Sequence, residues 1–416
     1  MSNSESMTRT RKLTRIITCQ GSIQLIAALA ALSCREEEQK DLGYEYEDFL
    51  VIYDLYSPRH EQLEEFAGFV KKMAQSVFNW KSILYVNPDQ MTRLAELLEV
   101  SPATAFTHLH KSVGTSKADE IYLCRSWQFG HRFMMNAYQK AEKICYGDGL
   151  GLYFSEAYFS PAATNERRVY SLVRKKLGEV KRFVKRTPRL VTVATSYPLL
   201  SAVDFDIGYF LLPNILGEEP PMETRLVKKE VTKRIFRELA AALANDAIVE
   251  KYKYISSVPT VVLMTSNFSE AKRMSTEGEI LAYRKFLELM KFPRESTLMI
   301  KPHPRDGEQK IQQVGRAVED LFTSVVLLTE PDLFYIPFEL FLMQVFKGRT
   351  ETAVRDLKIA TFSTACLSLQ VLFSFEPIIG FGRDMVREFF HPEFVEGRIK
   401  HEYDLHVALQ KLAQVV

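Results

Sequence analysis

The sequence predicts an α/β protein built from two Rossmann-like domains, and three observations carry that prediction. Short apolar runs at 49–53, 82–86 and 120–124 alternate with helical periods at 59–76, 89–98 and 127–143. A second alternation starts further on, with strands at 260–264, 297–301, 324–328, 358–362 and 377–380 and helices at 277–291, 308–322, 337–346 and 405–415. β runs separated by helices imply βαβ units and parallel sheets. The chain has 416 residues, room for two large domains at ~150 residues each. The expected organisation is a polar tail over 1–12, an N-terminal domain over 13–252 and a C-terminal domain over 253–416. The stretch 160–252 is less regular, with a strand-like run at 190–194 and an amphipathic helix expected over 224–244.

Composition narrows the class. Apolar residues make up 46% and charged residues 25%, an ordinary globular mix. Lys plus Arg (54) exceeds Asp plus Glu (52) by only 2, so no global field favours nucleic acid. The five cysteines, Cys19, Cys34, Cys124, Cys145 and Cys366, are widely spaced without a CxxC. That excludes a disulfide scaffold and a structural zinc site and fits a reducing cytosol.

The first element has two readings. Arg9, Arg11, Lys12 and Arg15 precede an apolar stretch over 16–33, which imitates a signal peptide. The stretch is broken, however, by Thr18-Cys19-Gln20-Gly21-Ser22 and by Gln24. A strand at 13–18, a Gly-Ser turn and an Ala-rich helix at 23–32 account for the breaks better. No other segment has the ~18–20 apolar residues of a spanning helix, so the expected location is cytoplasmic.

Four short motifs carry candidate chemistry. The strand at 297–301 runs into Lys301-Pro302-His303-Pro304, at the carboxyl edge where open α/β sheets place ligands. Each proline holds the preceding residue extended, so Lys301 and His303 point the same way. An ammonium beside an imidazole suits phosphate, and the plain alternative is a surface lysine and a turn histidine. The strand at 358–362 runs into Ser363-Thr364 ahead of an apolar helix, which reads as an anion site or as an ordinary N-cap. Pro337-Phe338-Glu339 opens a helix, where proline and a carboxylate are favourable without any function. Gly147-Asp148-Gly149, with Gly151 just beyond, either frees a carboxylate to act as base or metal ligand, or is a tight turn. It lacks the GxGxxG spacing.

In order and spacing, these motifs resemble those of the bacterial sialyltransferase and polysialyltransferase glycosyltransferases of GT-B type. That group carries an acidic-acidic-Gly motif in its N-terminal domain. An HP motif, a Pro-x-Glu helix start and a Ser-Ser/Thr motif follow in the C-terminal domain. Gly21-Ser22-Ile23-Gln24-Leu25 is similar to the first strand–helix turn of the polysialyltransferase-like branch. The resemblance implies a GT-B fold with an interdomain cleft, a CMP-activated donor (CMP-sialic acid first) and a glycan acceptor, either oligosaccharide or glycolipid.

By the same resemblance, Asp148 is the general base and His303 hydrogen-bonds or protonates the leaving phosphate. Lys301, Ser363 and Thr364 hold the phosphate, Glu339 the ribose, and Gly149 lies in the donor site. Gly147 departs from the pattern, standing where many members carry a second acid. One base implies inversion, and no HExxH, DxD or Cys/His cluster calls for a metal, so no cofactor is expected.

Nine lysines and arginines between Arg167 and Arg186 face one acid, Glu179, a local net of +8. They read either as a solvated helix face or as a track for an anionic glycan or the inner membrane surface. Two other functions remain open. One is a transferase of the CDP-glycerol polymer synthase type, and the other is a non-catalytic nucleotide-sugar-binding component of a glycan assembly complex.

Overall fold

The computed structural model describes residues 11–55, 62–126, 128–154, 199–201, 203–346 and 357–414. As the alternation predicts, the chain is α/β with two parallel sheets. It divides into two compact units, one of residues 1–56 and 78–232, the other of 57–77 and 233–416. The division thus falls at 232/233 rather than 252/253, and a segment of the N-terminal half belongs to the second unit.

Unit 1 is built on seven strands: β1 (Arg11–Cys19), β2 (Tyr44–Ile52), β3 (Ser82–Tyr85), β4 (Glu120–Leu123), β5 (Glu142–Cys145), β6 (Ile207–Phe210) and β7 (Glu223–Leu226). Their order is β3-β2-β1-β4-β5-β6-β7. β1 and β2 pair over nine residues, from Arg11 opposite Tyr44 to Cys19 opposite Ile52. Ile16, Ile17 and Cys19 are fully buried, as a central parallel strand covered on both faces requires. The apolar stretch that imitated a signal peptide is therefore the end of β1 and the helix Ser22–Gln39, whose Leu25–Leu32 stretch is buried.

Two expected helices are corrected. The one expected over 127–143 ends as Phe129–Ala137, and Glu142–Cys145 forms β5. β5 lies between β4 and β6, and a strand buried on both faces shows no alternation to distinguish it from helix. The one expected over 224–244 begins as the edge strand β7, and its helix is Lys229–Ala242.

Unit 2 carries β8 (Thr260–Met264), β9 (Thr297–Lys301), β10 (Ser324–Leu327), β11 (Leu357–Thr361) and β12 (Ile378–Ile379), ordered β10-β9-β8-β11-β12. Its core is aromatic. Phe362 and Phe381 ring centroids lie 4.3 Å apart, with Phe268, Tyr283, Phe286 and Phe390 around them. Such pairs add ~0.5–1.5 kcal/mol each beyond burial. Helix Leu63–Val77 packs here too: Phe66 lies 5.3 Å from the Tyr335 ring, whose hydroxyl donates to Glu65 at 2.9 Å. The last helix runs over Pro392–Gln414, longer than expected because Pro392 can open a helix without losing a needed N–H. Among the described residues no helix is long and apolar enough to cross a membrane. The basic segment 167–186 and the run 190–194 lie outside the described residues.

Candidate active site

In each sheet the chain changes direction of travel at one point, between β1 and β4 in unit 1 and between β8 and β11 in unit 2. Open α/β sheets bind ligands beyond the carboxyl ends at such points. Ser363-Thr364 follows β11 there, Gly147-Asp148-Gly149 and Lys301-Pro302-His303 stand at the ends of β5 and β9 one strand away, and Glu339 follows the helix Pro331–Tyr335 rather than a strand.

In unit 1, Asp148 sits in a tight loop after β5. Gly147, Gly149 and Gly151 have φ of 76°, 53° and 83°, a region that glycine alone visits freely. The loop closes on itself: Asp148 N–H donates to Leu152 O at 3.0 Å and Leu152 N–H to Asp148 O at 2.9 Å. A Cβ on Gly147 would lie 2.8 Å from both the nitrogen and the oxygen of Leu152. Glycine at 147 is thus a demand of this turn. The Asp148 side chain is 18% exposed, and its Oδ1 lies 2.5 Å from the Arg125 guanidinium. The same oxygen accepts from Gln24 Nε2 at 3.1 Å. Two donors on Oδ1 fix the carboxylate plane.

Gln24 comes from the first turn of helix Ser22–Gln39 and Arg125 from just after β4. Arg125 was not among the expected site residues; its one sequence signal is its place directly after a strand. Nearby, Cys124 Sγ lies 3.3 Å from His131 Nε2, both fully buried. Burial pushes the thiol up to about 11 and the imidazole well below its ordinary value, so neither suits acid–base work at neutral pH.

In unit 2, Lys301 and His303 do different things. Lys301 is buried, and its ammonium donates to the carbonyls of Leu333 and Phe334, each at 2.9 Å. Burial brings it down to about 7. It ties β9 to the helix Pro331–Tyr335, whereas the sequence suggested an ammonium turned to phosphate.

His303 is half-buried. Its backbone N–H donates to Thr265 Oγ1 and Asp306 Oδ2, and its ring Nδ1 accepts from the backbone N–H of Arg305 at 3.1 Å. An accepting Nδ1 places the ring proton on Nε2. Surrounding protein, then Arg305, Lys310 and Lys301, push the imidazole down to about 3, so it is a neutral N–H donor at physiological pH.

Asp306 belongs to a buried network that supports this turn. Lys310 Nζ lies 2.8 Å from Asp306, 2.8 Å from Glu270 and 3.0 Å from Glu279. The three carboxylates approach within 4.8 Å of one another, a spacing that could hold a metal ion, and the ammonium supplies positive charge to all three.

Glu339 lies in the first turn of helix Phe338–Val345, is buried and accepts from Ser368 Oγ; burial raises its pKa. Ser363 and Thr364 are half-buried at the start of helix Ala365–Phe373. Ser363 Oγ accepts from Ala365 N–H at 3.4 Å, and Cys366 and Leu367 N–H donate to the carbonyls of Ser363 (3.3 Å) and Thr364 (3.0 Å). The Thr364 side chain makes no cap, so the two hydroxyls rather than idle backbone donors are what this helix start can offer an anion. A cavity of about 300 Å³ in the same unit, lined by Phe69, Leu333, Ile336 and Gln344 among others, contains none of the singled-out residues.

Known proteins give three kinds of comparison. Solved structures similar to this chain include a putative UDP-N-acetylglucosamine 2-epimerase from Listeria monocytogenes (14% identity, 97% of this chain and 91% of that one, TM-score 0.43). Others are the UDP-GlcNAc 2-epimerase of Methanocaldococcus jannaschii (10%, 96% and 92%, 0.41) and S. aureus MnaA with UDP (14%, 93% and 82%, 0.43). Likeness at that level carries no argument about activity. No curated protein sequence matches the chain. The profile of the family described as Alpha-2,8-polysialyltransferase (POLYST) matches residues 15–346, a span that takes in Asp148, Lys301, His303 and Glu339 and stops short of Ser363. With most of its length matched, the chain belongs to the alpha-2,8-polysialyltransferase family.

Proposed function

We propose that the protein transfers sialic acid, or a related sugar acid, from its CMP-activated form to a glycan hydroxyl, with inversion and without a metal. Attack at the anomeric carbon needs a base for the acceptor proton and donors for the charge growing on the departing phosphate. Asp148 takes the proton, held by Arg125 and Gln24 through one oxygen. His303 donates through Nε2 to the phosphate as a neutral hydrogen-bond donor rather than as an acid. The hydroxyls of Ser363 and Thr364, at the start of helix Ala365–Phe373, receive the phosphate oxygens.

Glu339 is assigned to the ribose and Gly149 to the close approach of the donor. Lys301 acts indirectly, by holding the segment that leads into Glu339. As in GT-B enzymes, unit 1 serves the acceptor and unit 2 the nucleotide. The reaction belongs, in this reading, at the cytoplasmic face, and the net charge of +8 over 167–186 suits an anionic glycan or lipid.

The observation that carries this reading, beyond the family, is the tautomer of His303: Nδ1 is occupied by Arg305 N–H, which commits Nε2–H to donation at a strand's carboxyl end. The test incubates purified protein with CMP-sialic acid and with CMP-Kdo and follows CMP release across oligosaccharide and glycolipid acceptors. Acceptor-dependent release from CMP-sialic acid is expected. Tight CMP binding without release for any acceptor would instead mean a non-catalytic binding component. Preference for CDP over CMP in a thermal shift would point to the CDP-glycerol type.

A further inference from the structure

A second acid stands at the carboxyl edge of unit 1, outside every motif. β2 ends at Ile52, Tyr53 is fully buried, and Asp54 turns the chain with φ 45°. A left-handed non-glycine residue is uncommon, aspartate being one of the few that adopt it. Two of the other residues in this region, Lys291 and Ser374, are helix C-caps, where the conformation is ordinary. Asp54 instead follows a strand, next to β1 and one strand from the β1/β4 switch point.

Gly130 packs directly against it. A Cβ there would lie 2.6 Å from the Tyr53 ring and 2.9 Å from Asp54 Oδ2. Asp54 is exposed on one side, and no described residue donates to its carboxylate. The protein packed against its other side pushes the acid up to about 6. A left-handed backbone, a side chain excluded opposite it and a carboxylate with no donor among the described residues converge on one position.

We propose that Asp54 is a specificity-determining residue that accepts hydrogen bonds from hydroxyl groups of the acceptor glycan. An ionised carboxylate accepts and never donates, so it selects the polyol face of a sugar and turns the acceptor's own carboxylates away. The inference rests on the reading that unit 1 serves the acceptor.

The test compares wild type with Asp54→Gly and Asp54→Asn. Glycine adopts the left-handed region freely and removes the carboxylate, and asparagine tolerates that region while losing the charge and exchanging one acceptor oxygen for an amide donor. The expected result is an acceptor KM raised about tenfold or more in both variants. The KM for CMP-sialic acid and its acceptor-independent hydrolysis should stay within twofold.

An acceptor KM within twofold of wild type in both variants overturns the proposal. If wild type transfers nothing, the proposed function fails separately, and Asp54 is judged by titration with a trimer of α2,8-linked sialic acid. Weaker binding by Asp54→Asn then supports the inference, and equal binding sinks it.

Discussion

At Gly147, a φ of 76° and a Cβ position 2.8 Å from the Leu152 backbone leave no room for a side chain. Gly147→Asp is therefore expected to destabilise the protein by roughly 2–4 kcal/mol and to lower activity. Urea unfolding checks the first effect; a fully stable variant would contradict the turn geometry. His303 gives a pH prediction. Its folded value of about 3 lies below the unfolded value of ~6.5, so the unfolded chain binds the extra proton between them. The stability this neutral imidazole contributes is present above ~6.5 and lost as pH falls toward 3. Wild type should lose about 1–2 kcal/mol more than His303→Gln between pH 7.5 and 4.5, and the kcat/KM profile should show no His303-dependent limb near 6.5. Asp148 was legible because its flanking glycines mark a turn. Arg125 was not, since only the pairing of β4 beside β5 brings it to Asp148.

Among elements, the HP strand and the Pro-x-Glu helix start are joined by one side chain. Lys301→Met removes both bonds to the carbonyls of Leu333 and Phe334. It should cost about 1–3 kcal/mol and speed amide exchange over 333–339 while leaving β8 protected; unchanged exchange would refute the tether. In the sequence, β8 and β9 stood out with their full bounds, because β-branched runs between turn residues admit one reading. β5 was hidden inside an expected helix, since four residues, three of them buried, carry no period of their own. The role of Lys301 was hidden for a related reason: alternation gives the direction in which a side chain leaves its strand, not the carbonyls that wait there.

For the whole molecule, two βαβ series were legible as two parallel sheets, while the exchange of residues 57–77 into unit 2 was not. That exchange depends on where the aromatic face of helix Leu63–Val77 finds Tyr335, a long-range contact that leaves no local pattern. We propose proton removal at Asp148 in unit 1 and phosphate stabilisation around His303 in unit 2. The most direct test is Asp148→Asn, assayed for sialyl transfer from CMP-sialic acid and, in parallel, for CMP affinity by calorimetry. The account expects transfer to fall at least a hundredfold with CMP affinity held within about twofold. Transfer at wild-type rate, or loss of CMP binding together with activity, would contradict it.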